Sequence, residues 1–187
     1  MLPVNCSRPP ADEETLYEFV DGKWVKMPAM SVYSALTASH FAFTVGRFVD
    51  DRDLGEVAAH LLFHLPLVED RNRRPDFAFV SYQRWAKDRP IPEGDNAWDV
   101  VPNLAVEIMS PTDLAEDLLE KIEEYFRAGV ELVWVVYPRR RTIHVYDSLT
   151  KIRVVTRTDE LDGGKVLPDF RLPLTTLFHD DVPQHDS

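Results

Sequence analysis

Three residues in the middle of the chain have the types and setting to do hydrolytic chemistry. Asp76 opens the apolar run D-F-A-F-V-S, Glu107 interrupts N-L-A-V-E-I-M, and Lys121 follows in L-L-E-K-I-E-E-Y-F. Carboxylates in apolar strands are costly to bury unless a partner or a cation compensates them. Two acids and an amine in such company suggest a divalent metal and a water to be activated. A hard ion such as Mg²⁺ takes carboxylate and carbonyl oxygens and retains waters. The backbone carbonyl of Ile108, one residue beyond Glu107, is a candidate third ligand. The metal would acidify a bound water and offset charge on a scissile phosphate. Lys121 would orient that water or stabilise the charge developing on phosphorus.

The elements that must position these residues form a strand, loop, strand, helix and strand between Pro75 and Pro138. The D-F-A-F-V-S strand starts after Pro75, where proline is tolerated. Residues 82–102, with Pro90, Pro92, Pro102, Trp85 and Trp98, read as a long loop that is either functional or a flap. Ser110, Pro111 and Asp113 read as an N-cap, a first helical residue and a capping-box partner, so Ser110 is a cap before it is a catalytic candidate. The helix then runs to about Ala128 and ends at Gly129. Leu114, Leu118, Ile122, Tyr125 and Phe126 mark its buried stripe. Lys121 falls on or beside that stripe. It can snorkel outward along its methylenes, pair with Asp117 on the helix surface, or be held inward by the acids. E-L-V-W-V-V-Y is apolar enough to be covered on both faces. Strand, helix and strand make a parallel βαβ unit.

The flanking chain is read in the same way. Residues 1–15 form a polar, proline-rich lead-in containing Cys6. Asp21-Gly22 is a hairpin turn between Y-E-F-V and K-W-V-K. Residues 31–51 have helical spacing at Val32, Leu36, Phe43 and Phe48. E-V-A-A-H-L-L-F-H-L-P-L-V reads as one strand, with His60 and His64 on a shared face; the same pair could bind metal from a helix, or simply sit half-buried. R-T-I-H-V-Y-D and K-I-R-V-V-T-R-T form an antiparallel pair, Asp162-Gly163-Gly164 turns the chain, and L-P-D-F-R-L-P-L-T-T-L-F closes the fold.

With 187 residues, the chain fits one domain with a substantial core. A single cysteine excludes an internal disulfide framework and a cysteine zinc cluster. The opening M-L-P-V-N-C-S-R-P-P lacks the pattern of a signal peptide, and no apolar run is long enough to span a membrane; a reducing cytoplasm is the expected compartment. A net charge of −11 offers no general footprint for phosphate. Two basic clusters, Arg71, Arg73, Arg74 and Arg139, Arg140, Arg141, read either as solvated loop ends or as local contacts for nucleic acid.

The combination R-P-D, A-V-E-I-M-S-P-T-D and E-K-I-E-E-Y-F-R-A-G-V-E-L-V-W-V-V-Y-P resembles the Uma family of restriction-endonuclease-like proteins, a branch of the PD-(D/E)XK nuclease superfamily. The similarity extends to Y-E-F-V-D-G-K-W-V-K-M and to the closing segment, so it covers about residues 16–178. It implies an α/β restriction-endonuclease-like fold: a mixed central sheet flanked by helices, with an N-terminal β-hairpin. The expected divisions are a lead-in at 1–15, one endonuclease-like domain at 16–180 and a tail at 181–187. It implies a DNA endonuclease using Mg²⁺, with Mn²⁺ as an alternative, and a homodimer by analogy with other domains of this fold. Asp76 and Glu107 are the implied metal-binding acids. The superfamily's usual lysine two residues after the glutamate is replaced by Met109, and Lys121 matches a lysine relocated to the next helix. Family members commonly carry a histidine near the start of the first helix, where this chain has Ser34, and residues 31–49 hold no acid. Ser34, Ser110 and Tyr125 are accessory candidates. The alternatives are a nuclease-fold module that binds protein or nucleic acid without cutting, and a structural ion-pair cluster without metal.

Overall fold

A computed structural model describes residues 15–68, 71–94 and 96–178. The expected lead-in, with Cys6, and the expected tail therefore lie largely outside the described residues. The chain forms β1 (Tyr17–Val20), β2 (Lys23–Lys26), α1 (Val32–Asp51), β3 (Gly55–Ala59), β4 (Phe63–Leu65), β5 (Arg71–Arg73), β6 (Phe77–Ser81) and β7 (Leu104–Ile108). These are followed by α2 (Ala115–Ala128), β8 (Leu132–Tyr137), β9 (Thr142–Ser148), β10 (Lys151–Val155), β11 (Glu160–Gly163), β12 (Leu167–Pro173) and the single turn α3 (Leu174–Leu177). A six-stranded sheet in the order β10-β9-β8-β7-β6-β3 is the centre of the fold. The β7–β8 pair, connected through α2, is parallel, and the other pairs are antiparallel, so the sheet is mixed as expected. No helix among the described residues is long and apolar enough to cross a membrane.

Strand alternation sorts the core into two layers. Phe77, Phe79, Leu104, Val106, Trp134 and Val136 face α1 and the closing segment. Ala78, Val80, Ala105, Val133 and Val135 face α2 and the tryptophan loop. Glu107 has the parity of Ala105, so its side chain enters the α2 layer. With both faces covered, β8 can be apolar throughout.

The Asp21-Gly22 turn has left-handed backbone at both residues, as a type I′ hairpin requires. The hairpin does not stand alone: β1 also pairs with β5, and β5 with β4, in a second sheet ordered β2-β1-β5-β4. Several sequence expectations change here. The run from Glu56 to Val68 is not one strand. It breaks at His60, which has φ of +51°, so β3 joins the central sheet while β4 joins the second. His60 and His64 consequently do not share a face of one strand. Arg71 and Arg73 are not solvated loop ends. Both are buried in β5 and share the carboxylate of Glu124, which accepts from Arg71 Nε at 2.6 Å and Arg73 Nε at 2.5 Å. The loop at 82–102 is pinned by buried Trp85 and Trp98, packed edge to face.

Both long helices occur where spacing predicts them, with differences of face and boundary. In α1, Val32, Leu36 and Phe43 point to solvent, while Phe41, Val45 and Val49 are buried. Two comparably apolar stripes coexist there, so periodicity identifies the helix without choosing its inner face. Helix α2 starts four residues later than expected. Ser110 to Asp113 form a separate turn, with Ser110 N–H donating to Asp113 Oδ2 at 2.7 Å, and Leu114 at the helix start is exposed. Gly129 ends α2 in left-handed conformation, as expected.

Glu124 anchors two guanidinium groups in a dry interface between the hairpin sheet and α2. Truncating one member of such a network strands the others without compensation. Glu124→Ala is expected to lower the unfolding free energy by about 3–5 kcal/mol. Urea denaturation would read this as a lower midpoint; a change below about 1 kcal/mol would mean that the pair behaves like an exposed one.

Candidate active site

Asp76 sits immediately before β6, where its carboxylate replaces a missing strand partner. The register pairs Phe77 with Val106, so Ile108 extends beyond the end of β6. Met109 N–H donates to the Val136 carbonyl on the β8 side, so the backbone groups of Ile108 face the opposite, β6 side. Ile108 N–H accordingly donates to Asp76 Oδ2 at 2.6 Å. The Ile108 carbonyl opens toward the same gap, beside the carboxylate.

Glu107 meets α2 from below. Its Oε1 accepts from the Tyr125 hydroxyl at 2.6 Å, and its Oε2 lies 3.4 Å from Lys121 Nζ. Lys121 and Tyr125 are four residues apart and share one helix face. Lys121 neither snorkels to solvent nor ion-pairs with Asp117. Its ammonium turns inward and lies 2.9 Å from Oε1 of Glu18, a residue on β1 that sequence reasoning missed. Glu18 is only 4% exposed, although it lies in a short hairpin strand. It also accepts from Arg73 at 3.0 Å and from Arg74 N–H at 2.9 Å. Its signal in the sequence was the same as that of Glu107: a lone acid among aromatic and β-branched residues, in Y-E-F-V.

Burial dominates the electrostatics. It pushes the Glu107 carboxyl up to about 7, against the attraction of Lys121 and with repulsion from Asp76 and Glu18 adding to it. It pushes Asp76 up to about 6, against the Ile108 hydrogen bond. Burial alone would raise Glu18 too, but Lys121 and Arg73 hold it below the ordinary carboxylate range. Desolvation opposes the charge on Lys121, yet Glu107 and Glu18 keep its ammonium protonated well beyond neutral pH. Tyr125 is held in its neutral form by burial and by the Glu107 carboxylate.

The other sequence candidates divide into neighbours and bystanders. Ser110 lines the pocket and donates to Ser34 Oγ at 3.4 Å, so Ser34 touches the site only through Ser110. Ser34 is otherwise tied to the Ser31 cap of α1. His64 points to Asp99 at 3.0 Å and takes no part. His60 Nδ1 approaches Asp76 Oδ1 at 3.6 Å. Its imidazole pKa is lowered by burial and by Arg74.

Asp76, Glu107, Ile108, Ser110 and Lys121 line one small pocket of about 70 Å³. It adjoins a cleft of about 380 Å³ between the hairpin and α2. Among the described residues, no three His, Cys, Asp or Glu side chains converge as a metal cage. Two hard carboxylates beside a backbone carbonyl, in a pocket with room for water, nevertheless fit an ion that keeps much of its hydration, as Mg²⁺ does. The raised pKa values of Asp76 and Glu107 are the electrostatic counterpart: burial outweighs the attraction of Lys121 for both acids.

Comparison with known proteins bears on the fold and the family. Residues 6–175 match the family model described as "Uma2: Putative restriction endonuclease". A crystal structure of "a putative nuclease belonging to DUF820 from Anabaena variabilis ATCC 29413" is similar in fold, with a TM-score of 0.75 at 18% identity, over 87% of this chain and 89% of that one. No curated protein matches the chain.

The raised carboxyls predict a pH-dependent stability. A carboxyl whose folded pKa exceeds its unfolded value destabilises the fold above the folded pKa, and this cost disappears as pH falls toward the unfolded value. For Asp76 that window runs from about 6 down to 3.8. In metal-free protein, Asp76→Asn is expected to add about 1–3 kcal/mol of stability at pH 8. The gain should shrink below pH 6 and vanish near pH 4. Urea titrations at pH 8, 6 and 4 check this; a variant weaker than wild type at pH 8 would contradict it.

Proposed function

The chain belongs to the Uma2 family, described as "Putative restriction endonuclease", and from that premise we propose that it is a metal-dependent nuclease hydrolysing phosphodiester bonds in DNA. The observation that carries this reading is the inward ammonium of Lys121, which meets Glu107 beside Asp76 although the strand position of the usual lysine holds Met109. Asp76, Glu107 and the Ile108 carbonyl would hold Mg²⁺, or Mn²⁺ in its place. Such an ion lowers the pKa of a bound water and offsets charge on the scissile phosphate.

The protein's own groups have separable tasks. Lys121 presents positive charge at the mouth of the acid pair, where it can stabilise the negative charge developing on phosphorus. Glu18 holds that ammonium in place from the hairpin side. Tyr125 fixes one oxygen of Glu107, and Ile108 N–H fixes one of Asp76, so both carboxylates keep their orientation when the site is empty. The cleft between the hairpin and α2 supplies the approach for substrate. Action in the cytoplasm, and on both strands as a homodimer, completes the proposal by analogy with other domains of this fold.

One observation favours a second reading, that of a nuclease-fold module that binds without cutting. Arg71 and Arg73, two of the three arginines that precede Asp76, are consumed in buried ion pairs and cannot grip phosphate. The two readings separate in one assay. Plasmid and single-stranded DNA are incubated with the protein and Mg²⁺ or Mn²⁺. Cleavage is expected, with a loss of about 10²-fold or more in each of Asp76→Ala, Glu107→Ala and Lys121→Met. Cleavage that survives all three substitutions would remove the proposed site. DNA binding without cleavage under either ion would favour the second reading.

A further inference from the structure

The sheet beside the acid pocket carries aromatic and basic groups that the proposed chemistry does not use. Strand β7 runs parallel to β8, with Glu107 opposite Val135. Continuing that register brings Met109 beside Tyr137, and Met109 N–H donates to the Val136 carbonyl at 2.9 Å. Met109 lines both the acid pocket and the adjoining cleft. The Tyr137 backbone therefore stands one strand spacing, roughly 5 Å, from the wall of the site. Tyr137 has the parity of Val135, so it shares the α2 face with Glu107. His144 pairs with Val135 and Tyr146 with Val133, so both rings join that face. Tyr137 and His144 are half-buried and in contact, with ring centroids 4.6 Å apart.

Helix α2 leaves this part of the sheet uncovered. Ile152 pairs with Tyr146 and Val154 with His144, so their side chains continue the row of rings onto the edge strand β10. Their exposures of 50% and 51% leave the face open to a flat ligand. The turn Pro138–Arg140 between β8 and β9 puts two exposed arginines, Arg139 and Arg140, at the rim. Arg140 is near enough to act on both rings. Burial, then Arg140, lowers the His144 pKa, while burial and Tyr146 raise that of Tyr137 against Arg140. Neither Arg139 nor Arg140 forms an ion pair among the described residues. By contrast, Arg71, Arg73, Arg84 and Arg153 are all tied to carboxylates. The chain from Leu132 to Tyr146 also contains no acid, although the net charge is −11. Unpaired guanidinium groups beside open rings fit an anionic ligand that has aromatic faces.

We infer that Tyr137 and His144 form a base-stacking subsite, that Arg139 and Arg140 hold the phosphates beside it, and that the favoured substrate is single-stranded DNA. The inference rests on the nuclease reading above and deepens it by naming the strand state of the substrate. A base can lie on these rings only when it is unstacked from its neighbours, as it is in a single strand. Stacking on an aromatic ring tolerates any base, and arginine adds charge and cation–π attraction. An apolar partner would leave both guanidinium groups unmatched, whereas each nucleotide brings a ring and a phosphate together. The subsite also supplies the phosphate grip that Arg71 and Arg73 cannot give.

The test uses the full chain without added metal. The probe is fluorescein-labelled oligodeoxythymidine, alone or paired with oligodeoxyadenosine. Fluorescence anisotropy is expected to show the single strand bound about tenfold or more tightly than the duplex. Tyr137→Ala should weaken single-strand binding about tenfold, whereas Tyr137→Phe, which keeps the ring, should stay within about threefold of wild type. Replacing Arg139 and Arg140 together by Gln should reduce the salt slope of single-strand binding by roughly 1–1.5, at about 0.7 per phosphate contact. Ultraviolet cross-linking of wild type to a bromouracil-substituted single strand reads the contact directly and should label Tyr137 or His144; it decides the matter if Tyr137→Ala does not fold. Equal affinity for the two DNA forms, a folded Tyr137→Ala that binds like wild type, or cross-links confined to other elements overturns the inference. If metal-dependent cleavage still requires Asp76 in that case, the nuclease reading stands without it. The expected binding losses with no cleavage under Mg²⁺ or Mn²⁺ keep the subsite and remove the nuclease reading. Wild type that binds no DNA, but forms a dimer that Ile152→Glu dissociates on sedimentation, assigns the face to a second copy and overturns the inference.

Discussion

The ammonium of Lys121 is the interaction on which the rest of this structure depends. It is shared by Glu107 on the central sheet and Glu18 on the hairpin, while its own backbone belongs to α2. Three elements distant in sequence therefore meet at one charge. In a dry interior each of these groups would be expensive alone. Together they specify how the hairpin sheet docks, because Glu18 also grips Arg73, and Arg73 shares Glu124 with Arg71. The packing of the second sheet and the electrostatics of the pocket are one connected network.

Within that network the positive charge is unevenly placed. Arg71 and Arg73 gather on the Glu124 and Glu18 side. No Lys or Arg forms an ion pair with Asp76 among the described residues; Lys121 acts on it only from a distance, and His60 Nδ1 lies 3.6 Å away. The acid without a fixed countercharge is thus the one at the open pocket. This imbalance supports the proposed cation site: in a closed structural cluster Asp76 would be expected to face a Lys or Arg directly. Under the proposed metal-dependent reading, the desolvation cost of Asp76 would be recovered as binding free energy for the ion.

The resulting site is half rigid and half open. Glu107 and Asp76 are oriented by groups that belong to the scaffold, a phenol and a backbone amide. The hairpin side contributes only through Glu18 and the cleft wall. Displacement of the hairpin would release Lys121 from one of its two acids while leaving the strand residues in place. Glu18 joins the two, so hairpin position and lysine position are mechanically linked.

Much of the architecture was legible in the chain itself. The Asp-Gly hairpin, the mixed sheet, α2 with its glycine cap and the apolar β8 follow from turn chemistry and periodicity, which are local properties. Asp76, Glu107 and Lys121 were legible as charges in the wrong company. Other features required the tertiary structure. Alternation could not reveal that the run after Gly55 breaks at His60, because the break serves pairing with two different sheets. Periodicity could not choose the inner face of α1, where two apolar stripes compete. The arginines near Asp76 look like surface charge until Glu18 and Glu124 arrive from positions about fifty residues away to bury them. The sequence by itself determined which side chains would be costly to bury and on which elements they lie. Only the tertiary structure decided which of them compensate one another, because that depends on non-local distances, and a buried charge interacts chiefly with what lies within a few ångströms.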